Sequence, residues 1–286
     1  MKAVSRAVEG HRPSRTGAYG LRLTGLETAA RYLVDAPAGW PELAVERIDG
    51  TPSIVHNVME DDWAEYGVHE HGCVRLDREP LTARLTVPGG FSDDEMVHPG
   101  LALPAAITNR WLGRHSFHAG AFLSGAGAWG VMGAKEAGKS TTLGYLASKG
   151  VGIISDDVLV IDGGDVLAGP RCVDLRASAA DWLGQGVDIG LVGARRRWRM
   201  HVPPVPAAVP LQGWIVPSWG ERVELEMVPP AQRISLLYAN LALMCIPHDP
   251  AGLLRLAALP YLILRRPRRW ETMEQAIAIL LNRIEV

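Results

Sequence analysis

Gly133, Ala134, Lys135, Glu136, Ala137, Gly138, Lys139 and Ser140 spell GAKEAGKS, and they satisfy G-x-x-x-x-G-K-[ST] at every fixed position. Each fixed position has a physical reason. Gly133 and Gly138 permit positive φ and close approach of the backbone, so that successive N–H groups converge on an anion. A helix starting near Lys139 adds the positive end of its dipole to the same pocket. Lys139 brings a point charge to the β and γ phosphates, the Ser140 hydroxyl a ligand for the Mg²⁺ that bridges them, and Thr141 a further bond to the α phosphate. With this chain's own glycine, lysine and hydroxyl-residue frequencies, such a match arises by accident in roughly one chain in three hundred. The lysines are Lys2, Lys135, Lys139 and Lys149, so three of the four fall in this one unit.

The flanks agree with a phosphate loop. On the N-terminal side, Ala119 to Leu123 and Ala128 to Met132 are apolar runs around a Ser124 to Gly127 turn, which predicts a hairpin delivering the chain to the loop. On the C-terminal side, Lys139 to Lys149 has helical composition and Gly150 stands where a left-handed helix stop belongs. Val151 to Ser155 and Val158 to Asp162 then read as strands around Asp156 and Asp157, with Gly163 and Gly164 turning the chain. In a parallel α/β arrangement the loop and the aspartates lie at the carboxyl ends of neighbouring strands, beside the terminal phosphate. Successive strand residues point to opposite faces, so a distortion at the strand end is needed for both carboxylates to serve one site.

These positions predict chemistry as well as binding. Asp156 is the expected base for an acceptor hydroxyl, and Asp157 the expected direct or water-mediated Mg²⁺ contact; the residues alone leave the reverse order open. His118, just ahead of the hairpin, joins Asp156 and Lys139 as a catalytic candidate, since an imidazole there orients the carboxylate or touches the transferring group. Taken singly it reads equally as a structural histidine. The expected activity is an ATP- and Mg²⁺-dependent kinase moving the γ phosphoryl group to a hydroxyl. Two rivals share the loop: a small-molecule kinase of shikimate or gluconate type, and a non-catalytic ATP-binding regulatory module. More than a hundred residues precede the loop, which argues against the first.

The remaining sequence sets bounds. Its 286 residues suit one large domain or two small ones, and a net charge of −2 without long like-charge blocks excludes a nucleic-acid tail. Cys73, Cys172 and Cys245 are widely spaced, which predicts neither a disulfide framework nor a zinc knuckle and suits a reducing cytoplasm. Met1 to Thr16 lacks the apolar run of a secretory signal, and Ala251 to Leu264 is cut by Arg255 and Pro260, so no stable membrane insertion is expected. From Tyr19 to Val87 short alternating runs (Leu43 to Ile48, Ser53 to Val58, Cys73 to Leu76, Leu81 to Val87) predict antiparallel strands. Within them, strand alternation separates Glu70 from His69 and His71, so a solvated strand is expected there and no metal cluster. A helix is expected around Leu101 to Leu112, strands at Leu211 to Val216 and Arg222 to Met227, and helices at Ala231 to Met244, Ala251 to Leu259 and Glu271 to Ile284. The division is residues 1–97 as a β-rich N-terminal region and 98–286 as a P-loop kinase domain. Arg171 and Arg176 are candidates to neutralise phosphate charge. Arg195, Arg196, Arg197 and Arg199 read as a solvated loop, and the basic Arg265 to Trp270 stretch sits beside helices expected to cover the sheet.

His118-Ala-Gly, the hairpin, GAKEAGKS, a helix ending in Ser148-Lys149-Gly150, and Ile153-Ile-Ser-Asp-Asp157 followed by Val158-Leu-Val-Ile together resemble the HPr serine kinase family over about residues 115 to 177. The resemblance implies an α/β fold of the HPr kinase/phosphoenolpyruvate carboxykinase-like P-loop type, here with a β-rich N-terminal part. It implies Gly133 to Thr141 as the ATP loop, Asp156 as catalytic acid/base, Asp157 as its polar partner and His118 as an active-site histidine. After Asp157 the chain reads Ala168-Gly-Pro-Arg-Cys-Val-Asp-Leu-Arg176 where the bifunctional enzymes carry a phosphorylase-associated segment. In this it resembles the stand-alone kinases of lasso-peptide type pathways, which implies a peptide or protein acceptor with a serine hydroxyl.

Overall fold

A computed structural model describes residues 15–52, 55–68, 72–193, 195–243 and 248–284. The His69, Glu70, His71 trio, Cys245, Met244, residues 53–54 of the second alternating run and most of the N-terminal stretch read for a signal lie outside the described residues. The architecture is mixed α/β with three sheets.

The first sheet is built from β1 (Thr16–Ala18), β2 (Leu21–Thr24), β3 (Val34–Asp35), β4 (Glu42–Asp49), β5 (Val58–Met59), β6 (Trp63–Val68), β7 (Gly72–Arg78) and β8 (Leu81–Val87), in the order β3-β1-β2-β4-β8-β7-β6-β5. It is not purely antiparallel: β4 pairs in parallel with both β2 and β8. Alternation along a strand reports which face is buried and says nothing of the partner's direction, so the sequence pattern was blind to this. The alternating residues Val74, Leu76, Ala83 and Leu85 form one apolar face. That face shares its core with Val158, Val160 and Leu167 from the second half of the chain.

After α1 (Asp93–Glu95), capped reciprocally by Ser92 and Glu95, a kink at His98 leads to α2 (Ala102–Trp111). The second sheet comprises β9 (His115–Phe117), β10 (Ala119–Ser124), β11 (Gly127–Met132), β12 (Ile153–Ser155), β13 (Leu159–Asp162), β14 (Asp165–Leu167), β18 (Ala208–Trp219), β19 (Glu224–Met227) and β20 (Tyr261–Arg266). Its main path runs β12-β10-β11-β18-β14-β13-β9, with β20 and then β19 alongside the second half of β18. The third sheet, β15-β17-β16, comprises β15 (Cys172–Leu175), β16 (Val187–Val192) and β17 (Arg195–His201). The arginine run expected as a solvated loop is therefore strand β17, and Arg199 within it is buried.

Period-two patterning assigns the faces of the second sheet. Ala119 and Ala121 of β10, Ala128 and Met132 of β11, Trp214 of β18 and Tyr261 of β20 pack on one side, where α5 (Pro230–Ala239) and α6 (Pro250–Ala258) lie. Their alternates Phe122, Trp129, Val131, Ile215 and Leu262 pack on the other, against α3 (Lys139–Ser148), α4 (Ala177–Leu183) and α7 (Thr272–Ile284). No helix among the described residues is long and apolar enough to cross a membrane.

Candidate functional site

Sheet polarity assembles the site. β11 runs parallel to β18, and β18 to β20, while β11 and β12 are each antiparallel to β10. The carboxyl ends of β11, β12, β18 and β20 therefore meet at one edge, together with the start of β10. The glycine loop leaves β11 and the aspartates leave β12, as the parallel arrangement required, but these strands are not neighbours. β10 lies between them, because the chain returns from α3 on the outer side of the hairpin. That correction places His118, the residue before β10, at the same edge. Ala119 pairs with Met132, the last residue before the loop.

The loop has the backbone its spelling predicts. Gly133 and Gly138 take φ of 142° and 95°, and Glu136 is left-handed at 69°. Gly138 is the N-cap of α3, and no side chain caps that end, so the first-turn N–H groups open toward the cleft. Lys139 Nζ donates to the carbonyls of Gly133 at 2.7 Å and Ala134 at 3.2 Å. Burial holds its ammonium below the usual lysine range, and the Asp157 and Asp156 charges oppose that shift. The Gly133 N–H donates to Asn240 Oδ1 at 3.1 Å, and the Asn240 carbonyl accepts the His118 N–H at 2.6 Å. Asn240, at the C-terminal end of α5, thus pins the loop and the histidine together; no spacing in the sequence signalled it.

Asp156 is 3% exposed. The Ser140 hydroxyl donates to its Oδ1 at 2.9 Å and the Asp174 N–H to its Oδ2 at 3.3 Å. Burial first, and then the charge of Asp157, push its carboxyl up to about 7, against the pull of Ser140. The close approach of the Asp156 backbone to β10 depends on Gly120, where a Cβ would sit 2.4 Å from Leu143 Cδ1, 2.7 Å from the Ser155 carbonyl oxygen and 3.4 Å from the Asp156 Cα. Asp157 takes φ of 73°, a left-handed conformation that is strained for a non-glycine residue. This is the strand-end distortion that two adjacent carboxylates needed, and both line the cleft.

The cleft has a volume of about 1240 Å³ and is lined by every loop residue except Ala137, by Thr141, and by Asp156, Asp157 and His118. Ala137 lies in the turn, its N–H bonded to the Ala134 carbonyl at 3.2 Å. Arg176 lines the cleft and pairs with Glu136 at 3.1 Å, whereas Arg171 is not among its lining residues. The Arg265 to Trp270 stretch turns its side chains into the cleft instead of merely adjoining helices, since β20 ends at Arg266. Ten lysine and arginine side chains face four carboxylates there, in a chain whose net charge is −2.

Arg266 is the clearest sign of an anion site. It is 4% exposed, and its one side-chain hydrogen bond among the described residues goes to the Pro267 carbonyl at 3.3 Å. No carboxylate within ion-pair distance balances it among those residues, and burial depresses its pKa. Its guanidinium lies 4.6 Å from the Trp219 ring centre, and its Nη2 would be 3.4 Å from a Cβ placed on Gly138. A buried, unpaired cation beside a helix N-terminus is costly unless an anion joins it. The donor set suits a magnesium triphosphate: N–H groups, Lys139 and Arg266 for phosphate oxygens, and Ser140 and Asp157 as hard oxygen ligands.

Behind Asp156, the Asp174 carboxylate receives Arg199 through two bonds of 2.8 and 2.9 Å. Arg199 also donates to the carbonyls of Asp94 and His98. Burial works to raise the Asp174 carboxyl, but His98, Arg199 and Arg197 outweigh it and hold it below the usual range. Among the described residues, donor atoms of His98, Cys172 and Asp174 lie within 4.8 Å of one another. Arg199 already occupies both Asp174 oxygens, so this cluster reads as a buried charge pair.

No protein-family model matches the chain, and no curated protein does. Among solved structures, the HPr(Ser) kinase/phosphatase from Coxiella burnetii is similar over 59% of this chain and 97% of its own length, at 15% identity and a TM-score of 0.28.

Proposed function

We propose that this chain is an ATP- and Mg²⁺-dependent kinase that transfers the γ phosphoryl group to a hydroxyl, and that the acceptor is a serine of a peptide or protein. The observation that carries the reading is Asp156, a buried carboxyl pushed up to about 7 and bonded to the hydroxyl of the residue that ends the glycine loop. A group titrating near neutrality and touching a phosphate-binding motif suits the acceptance of an alcohol proton.

In this proposal the N–H groups at the start of α3, Lys139 and Arg266 hold the phosphate chain, while Ser140 and Asp157 hold the metal. Bound Mg²⁺ supplies neutralisation of the phosphate charge. Asp156 takes the proton of the acceptor hydroxyl as that oxygen attacks the γ phosphorus, the bond from that phosphorus to the β–γ bridging oxygen breaks and ADP leaves. His118, which lines the same cleft, orients the carboxylate or touches the transferring group. Positioning and charge neutralisation do most of the catalysis. The serine acceptor rests on the sequence resemblance alone, and the hydroxyl class on the carboxyl base.

The test is incubation of the whole chain with γ-labelled ATP, Mg²⁺ and serine-containing peptides. Label in peptide that disappears with Asp156→Asn supports the proposal. Label entering a metabolite redirects it to a small-molecule kinase, and tight ATP binding without transfer to any hydroxyl replaces it with a regulatory ATP-binding module.

A further inference from the structure

Three aromatic rings form a stack that starts on the helix following the glycine loop and ends in the cleft. Tyr145 of α3 and Trp182 of α4 lie 5.5 Å apart between ring centres at an interplanar angle of 16°, and Trp182 and Trp270 lie 4.9 Å apart at 15°. Lys149 sits over the Tyr145 ring at 5.3 Å. Among the described residues, Trp270 makes no other ring or cation contact than the one with Trp182, and it lines the cleft together with Thr141. Trp270 also packs at the edge of the apolar cluster on the α3 side of the second sheet, and it lines the cleft as well.

The other indole of the cleft is differently committed. Trp219 carries Arg266 and Arg268 over its ring at 4.6 and 4.9 Å, and its N–H donates to the Glu136 carbonyl at 3.1 Å. It braces the loop and the guanidiniums. Trp270 is the half-buried indole of this cleft whose π surface is not taken by a cation, in a wall otherwise rich in charge.

We propose that the base of the bound nucleotide stacks on Trp270, extending the Tyr145–Trp182–Trp270 column by one ring. This rests on the proposed phosphate site and assigns the opposite end of the same ligand. Stacking is tolerant of base identity because every base presents a π face. Anchoring the column on α3 and α4 fixes the indole relative to the first turn of α3, so phosphate loop and base platform move as one body.

The experiment is calorimetric titration of the full chain with two probes in Mg²⁺ buffer, ATP and inorganic tripolyphosphate. The expected result is about tenfold tighter binding of ATP, the gain from one base–indole stack of about 1.4 kcal/mol. Trp270→Ala brings ATP down to the tripolyphosphate value without altering tripolyphosphate, and Trp270→Phe retains most of the preference. Equal affinity of the two probes for the wild-type chain overturns the inference without recourse to any variant. So does a Trp270→Ala chain that keeps its preference for ATP or loses both probes alike. If neither probe binds the wild-type chain, the phosphate site itself is wrong and the base platform falls with it.

Discussion

In the proposed reaction Asp156 accepts the hydroxyl proton, and its titration is the most direct handle on that role. A base with its pKa near 7 in the free protein gives kcat/KM an ascending limb of one proton around that pH. Asp156→Asn is expected to remove the limb and lower turnover by roughly a hundredfold to ten-thousandfold while ATP still binds; unchanged turnover contradicts the base role. Stability moves the other way. The folded value lies above the ordinary carboxyl value of about 3.9, so folding favours the protonated form. That contribution is complete below about pH 4 and is lost as pH rises through about 7. Asp156→Asn is therefore expected to gain thermal stability over wild type more at pH 8 than at pH 5, in paired melting curves. The meeting of this residue with the glycine loop was legible in the sequence because both signals are local: a spelled loop, and carboxylates directly after an apolar strand. Asn240, Arg266 and Arg199 were not, since Asn240 and Arg199 bond partners distant in the chain and Arg266 lies against Trp219 and beside Gly138.

Elements carry the geometry that single residues cannot. The β10–β11 hairpin does two tasks, launching the loop from β11 and holding β12 and its aspartates on the outer side of β10. Gly120 makes the second possible, because a Cβ there meets the fixed carbonyl of Ser155 at 2.7 Å. Gly120→Ala is expected to cost about 1–3 kcal/mol and to reduce transfer beyond what the unfolded fraction explains, as read by denaturation and activity on one preparation. At the end of α5, Asn240→Ala removes the acceptor for the Gly133 N–H. Its expected effect is weaker ATP binding together with a loss of stability of about 1 kcal/mol, since Asn240 is only 6% exposed and the Gly133 N–H is left without its acceptor. The hairpin, α2, α3 and the C-terminal helices follow from periodicity and stop signals read in the sequence. β15, β17 and β20 did not: Tyr261–Arg266 follows an apolar helical stretch with Pro260 between, and a short apolar run does not announce whether it is helix or strand.

Across the whole molecule, the α1 segment that follows the first sheet is coupled to the site by a buried ionic junction, and the first sheet itself by a shared apolar core. Arg199 of β17 binds the Asp174 carboxylate and the carbonyls of Asp94 and His98, and Asp174 in turn donates its N–H to Asp156. Arg199→Met strands a buried carboxylate and is expected to destabilise the chain by about 3–5 kcal/mol, measured by urea denaturation at pH 7. A loss below 1 kcal/mol would mean that solvent reaches the junction. GAKEAGKS, the hairpin before it and the Asp156–Asp157 pair were open to prediction, because turn sterics, strand periodicity and helix-end electrostatics operate over a few consecutive residues. Strand direction in both large sheets, the interposition of β10, and the cationic cleft fed by β17, β18 and β20 were decided only in three dimensions. They depend on pairings between segments as distant as Val131 and Ile215, and neither hydropathy nor spacing along one chain encodes which strand lies beside which.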